Sequence, residues 1–148
     1  MKTIIGISIA LAIILLNGCA QKAQEGIISG VDLISIHEIT TKPGIDEKEF
    51  EKFVMNEIAP LYKNVNGQDL FLSKGYVGQR TGQYAIFITF PTVEARNQIY
   101  HLNGDWDKDF ASKLDSAGPI IWEKFDSFAY GFDGQHNTDY LRVEIKDE

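Results

Sequence analysis

Residues 83–90, Gln-Tyr-Ala-Ile-Phe-Ile-Thr-Phe, constrain the fold of this chain most. Successive side chains of a strand point to opposite faces of its sheet. Here Tyr84, Ile86, Ile88 and Phe90 occupy one parity, and Ala85 and Phe87 the other. A strand apolar on both parities predicts a sheet that is covered on both faces. Residues 31–40 repeat the signature, with Val31, Leu33 and Ile39 on one parity and Ile34 and Ile36 on the other.

Between these two strands, Lys42-Pro43-Gly44 supplies turn chemistry, and Asp46 and Glu49 stand at capping-box spacing. Phe50, Phe53, Val54, Ile58 and Leu61 then make one apolar stripe of a helix that Pro60 should kink or stop. Residues 70–77 read as a second strand, and the glycine-bounded segment 78–82 joins it to the third as a hairpin. Thr92 is placed to cap a helix running to about Leu102, and Asn103-Gly104-Asp105 interrupts it. A further helix is expected to carry Trp106, Phe110 and Leu114. Gly118-Pro119 opens another, with Ile121, Trp122, Phe125 and Phe128 on its stripe. Residues 131–137 read as loop and 139–146 as a last strand, with Leu141, Val143 and Ile145 on one face. The order strand, helix, strand, strand, helical region, strand predicts an α+β class, ferredoxin-like βαββαβ antiparallel sheet with an extended, broken second helical region. Helices would cover one face. A second copy of the sheet, or the broken helical region folding over, would cover the other.

The N-terminus concerns location. Lys2, an apolar core over residues 4–16 and Gly18 make a secretory signal. Leu16-Asn17-Gly18-Cys19, holding the only cysteine in the chain, resembles the bacterial lipoprotein signal, whose cysteine accepts a diacylglycerol thioether and becomes the mature N-terminus. An uncleaved span would need about 20 apolar residues, and a plain signal-peptidase site with an incidental cysteine is the other alternative. Residues 1–18 are read as the signal, 19–30 as a tether and 31–148 as one domain. Ala20, and not an aspartate, follows Cys19. The expected place is the cell envelope, held by lipid, at the outer membrane facing the periplasm if the cell has one. Lys2 is the only charged residue of the signal, so the mature net charge is −8 against −7 for the full chain. Such acidity argues against nucleic acid and against adhesion to anionic lipid through charge.

Pro43-Gly44, Pro60-Leu61-Tyr62, the segment Gly78-Gln79-Arg80-Thr81-Gly82-Gln83-Tyr84 and the phrase Phe90-Pro91-Thr92-Val93-Glu94-Ala95-Arg96 resemble the dimeric α+β barrel superfamily, in which the antibiotic-biosynthesis monooxygenases are one branch. The resemblance covers about residues 31–131. It implies a homodimer, and an activity ranging from oxygenation or haem degradation to none. Fold does not fix chemistry.

The residues themselves show no nucleophile elbow, phosphate loop or zinc motif. His37 stands at the parity of Leu33 and Ile39, where it can serve as base or ligand inside a barrel. His101 stands where the resemblance implies a haem axial ligand, in a helix that Asn103-Gly104 would break at once. Its other reading is a histidine at a helix C-terminus. His136 belongs to a polar loop. Arg80, Tyr76 and Tyr84 are candidates for a polar mouth, and Trp106 for a ligand platform. Arg80 reads equally as a solvated hairpin charge, and Trp106 as core. Asp105, Asp107 and Asp109 lack the glycine and distant glutamate of a calcium loop, so no metal is expected. The motifs predict no cofactor; haem enters only through the resemblance. The expected function is binding of a small apolar or amphipathic ligand by a membrane-anchored lipoprotein. The alternative is a monooxygenase-like or haem-handling enzyme.

Overall fold

The computed structural model describes residues 30–102, 105–133 and 137–143. The expectations for the signal, Cys19, Asn103-Gly104, His136 and the strand end at 144–146 lie outside the described residues.

Among the described residues, five antiparallel strands form the sheet: β1 (Leu33–Thr41), β2 (Asp69–Lys74), β3 (Tyr84–Phe90), β4 (Ala129–Tyr130) and β5 (Asn137–Leu141). Their order is β2-β3-β1-β4, with β5 also paired to β1. This is the order of a ferredoxin-like α+β sheet. β3 pairs Phe87 with Ile36 on one side and with Phe71 on the other.

The helices follow their predicted signals closely at the start and less so at the end. Asp46 caps α1 (Glu47–Phe53), accepting from the backbone N–H of Lys48 and Glu49 at 2.9 and 3.1 Å. The helix continues past Pro60 as far as Tyr62. The chain widens into a π-helical turn over Val54–Ile58, in which the Ala59 N–H donates to the Val54 carbonyl, and then continues as α2 (Ala59–Tyr62). A proline has no N–H and its ring clashes with the carbonyl four residues back, and a local π turn relieves both constraints. Thr92 caps α3 (Val93–Ile99), which ends three residues earlier than the pattern suggested. Trp106 is not helical: it forms a β-bridge with Tyr100 ahead of α4 (Lys108–Ser116). Pro119 opens α5 (Pro119–Phe128).

All of the core lies between one sheet face and the helices. Leu33, Ile39, Leu70, Tyr84, Ile86, Ile88 and Phe90 meet Phe50, Phe53, Ile58, Phe110, Leu114, Phe125 and Phe128 there. Phe50 sits at its centre, with ring centroids of Tyr84, Phe125 and Phe128 at 5.2, 6.1 and 5.8 Å. The broken helical region therefore packs on the same face as α1. Ile34, Ile36, Phe71 and Phe87 remain half-buried on the opposite face, where the Phe71 and Phe87 rings stack at 5.1 Å.

The last strand departs furthest from expectation. Two short strands share one edge of β1: residues 129–130 pair with 40–41, and residues 137–141 with 33–37. Leu141 and Val143 are exposed and pack no core. Between the two strands the chain leaves the edge at Gly131, whose backbone presses on the Glu38 carbonyl so closely that a Cβ would stand 2.3 Å from it. This detour carries Phe132 into the space beneath the sheet.

Candidate functional site

That space is a cavity of about 430 Å³ between the inner sheet face and the helices. Its walls are aromatic: Tyr62 from α2, Phe90 from β3, Tyr100 and Trp106 from the bridged loop, Trp122 from α5, and Phe132. Some of the rings pack edge to face, as Tyr100 does on Trp106 at 5.8 Å and Phe132 on the His37 ring at 5.0 Å, and others are tilted, as Tyr62 is on Phe132 at 5.8 Å. Burial raises the phenol pKa of both Tyr62 and Tyr100, so these rings stay neutral.

One side of the cavity is polar, and strand register builds it. Ser35 and His37 interrupt the apolar inner parity of β1 and lie opposite Asp139 and Asn137 of β5. Paired residues share a face, so four polar groups meet. Asn137 Nδ2 donates to Ser35 Oγ at 3.1 Å and to Asp139 Oδ1 at 3.3 Å. Ser35 Oγ lies 3.4 Å from His37 Nε2. Arg96 reaches over from α3 to pair with Asp139 Oδ2 at 2.9 Å and donates to the Tyr100 carbonyl at 2.9 Å.

His37 is 8% exposed. Burial lowers its pKa below the ordinary 6.5, while the Asp133 backbone and the carboxylates of Asp139 and Asp133 pull less strongly upward. The ring is therefore neutral at pH 7. Ser35 Oγ has two lone pairs, so while accepting from Asn137 it can either donate to Nε2 or accept from it. Nδ1 is buried without a partner of hydrogen-bonding geometry among the described residues. A neutral imidazole in such a cavity can accept a proton from a bound molecule or orient it.

Of the residues singled out in the sequence, His37, His101 and Trp106 line this one cavity. His101 follows the end of α3 and is exposed at the rim, its N–H donating to the Asp105 carbonyl at 2.8 Å. The structure does not bring Tyr76, Arg80 and Tyr84 together. Tyr76 is 95% exposed. Arg80 pairs with Glu38 on the outer side of the sheet. Tyr84 is buried on the inner side, its hydroxyl donating to Glu51 Oε1 at 2.6 Å, and its pKa is pushed up to about 12 by burial and that bond. Sequence reasoning missed Ser35, Arg96, Tyr100, Asn137 and Asp139. The available signal was Ser35 beside His37 on an otherwise apolar strand parity. Among the described residues no three histidine, cysteine or acidic side chains are grouped to hold a metal ion, and no helix is long and apolar enough to cross a membrane.

No family model and no curated protein matches this sequence. Among solved structures, an ethyl tert-butyl ether d (EthD) family protein from Bacillus halodurans C-125 is similar to this chain with a TM-score of 0.40 and 18% identity, covering 78% of this chain and 98% of that one.

Proposed function

We propose that this chain is a lipid-anchored envelope protein whose α+β domain binds a small amphipathic molecule between sheet and helices. The cavity carries the reading: about 430 Å³, walled by six aromatic side chains, with a neutral buried histidine and a hydrogen-bonded polar row on one side. Ligand sites are commonly concave and mostly apolar, with a few placed polar groups. Anchoring rests on Leu16-Asn17-Gly18-Cys19. Two acyl chains hold a protein stably at a membrane, where one does so only marginally. The half-buried outer sheet face, with Ile34, Ile36, Phe71 and Phe87, supports a two-fold assembly of the dimeric α+β barrel type.

A second reading keeps the same cavity and makes it catalytic, in the manner of the antibiotic-biosynthesis monooxygenases. The observation favouring it is His37, neutral at pH 7 and able to take a proton from a substrate hydroxyl. Haem handling has weaker support, because His101 is exposed at the rim beyond the end of α3 and does not fit an axial ligand projecting from a helix.

Full-length protein in uncharged detergent tests the binding reading. The chain's two tryptophans, Trp106 and Trp122, both line the cavity, so intrinsic fluorescence reports occupancy. Amphipathic probes should change it saturably, and Ile88→Phe, which narrows the cavity without a strand-breaking residue, should weaken them. No saturable change with any probe overturns the reading. Oxygen uptake with a quinol that His37→Ala abolishes would favour the enzyme. Labelled palmitate entering wild type and not Cys19→Ser tests the anchor.

A further inference from the structure

A buried tyrosine hydroxyl usually finds a hydrogen-bond partner, and Tyr84 does so by donating to Glu51. Two others do not. Tyr62 is 5% exposed and lines the cavity together with Tyr100. Burial alone raises the Tyr62 phenol pKa, and no hydrogen bond contributes. Burial leads at Tyr100 as well, ahead of the charge effects of Tyr62, Arg96 and Asp139, again with no hydrogen bond. A sealed hydroxyl without a partner would stand with His37 Nδ1 and the Gln68 side-chain amide as a buried unpaired group, and neither phenol does. Among the described residues both hydroxyls are therefore unpartnered, and they open onto the cavity that their rings line.

The two phenols are neighbours. Both rings meet the buried Phe110 ring of α4 edge to face, at 5.4 and 5.7 Å. They stay neutral, so each has a hydrogen to donate. A buried donor left without an acceptor is the costlier omission, because a spare lone pair is better tolerated. The charges acting on Tyr100, those of Arg96 and Asp139, are paired with each other. A charged head group placed here would give up hydration for a pair that is already closed. A carbonyl oxygen gives up less, and it has two lone pairs, one for each phenol.

We propose that the ligand is an uncharged carbonyl compound, a ketone, ester or amide on an apolar body. Its oxygen accepts from the Tyr62 and Tyr100 hydroxyls, and the body lies against the aromatic walls. This inference rests on the binding reading above and narrows it to one ligand class.

Acetophenone, its carbon isostere α-methylstyrene, and benzoate separate the possibilities. Each is titrated by calorimetry into full-length protein in uncharged detergent, with micelles alone as the blank. The ketone should bind at least about tenfold tighter than the isostere, a ratio equivalent to about 1.4 kcal/mol. Tyr62→Phe combined with Tyr100→Phe keeps both rings and removes only the hydroxyls. This double variant should abolish the preference and leave the affinity for the isostere unchanged. Without ligand it should keep the wild-type urea midpoint, because no internal hydrogen bond is lost. A lower midpoint would show that the hydroxyls have internal partners, and that overturns the carbonyl inference. Equal binding of ketone and isostere, tighter binding of benzoate, or a preference that survives the double variant also overturns it and leaves the cavity a binding site. Failure of all three to bind overturns both.

Discussion

Replacing His37 with glutamine tests whether the cavity holds its imidazole neutral. The opposing effects are set by position. Burial removes the ring from water and disfavours its charged form; the Asp133 backbone and the nearby Asp139 and Asp133 carboxylates favour it and are outweighed. The folded pKa therefore lies below the unfolded value of 6.5. As pH falls through 6.5 the unfolded chain takes up a proton that the folded chain declines. The contribution of this group is thus fully present above pH 6.5 and declines as pH falls, until the folded pKa is reached. One proton limits the slope to about 1.4 kcal/mol per pH unit, so the loss between pH 6.5 and pH 5 is at most about 2 kcal/mol. Urea unfolding of wild type and His37→Gln, from about pH 7.5 to about pH 5, measures it. The difference between the two stability curves is the quantity of interest, because other titrating groups are common to both. Wild type should lose stability relative to the variant only below pH 6.5. A constant difference, or wild type gaining as pH falls, would refute the argument, the latter by showing that the carboxylates outweigh burial.

Three further outcomes are expected. Phe87→Glu places a charge on the outer face while the inner core stays intact; light scattering should show a dimer dissociating to monomer, and a wild-type protein that already runs as a monomer would sink the two-fold assembly. Gly75→Ala should destabilise the hairpin by about 1–3 kcal/mol in urea unfolding, because its Cβ would stand 1.9 Å from the Arg80 carbonyl oxygen; a change below about 0.5 kcal/mol would contradict that geometry. Arg96→Ala and Asp139→Ala, combined in a double-mutant cycle, should show coupling of about 1–2 kcal/mol for a partly buried, hydrogen-bonded pair, and simple additivity would mean that the pair does not tie α3 to β5.

The sequence by itself determined the elements whose causes lie within a few residues. Asp46 and Thr92 cap their helices because a short side chain reaches its own next turn. Pro119 begins a helix because its missing N–H is not needed there. The parity of β1 and β3 sorted the side chains into two sets and put His37 with Leu33 and Ile39, because side chains alternate wherever a strand lies. Both sets hold apolar residues, and packing decided which one the helices cover. Tertiary structure alone decided the rest. The chain forms a π turn over Val54–Ile58 ahead of Pro60 and runs on to Tyr62 because the apolar stripe on both sides of the proline has core to bury. Trp106 left its expected helix to bridge Tyr100. Neither the two-part pairing along one edge of β1 nor the detour that brings Phe132 onto His37 has a local signature. The polar row joins residues 35, 96, 137 and 139, and contacts over such separations are fixed by register and packing, which no window of sequence contains.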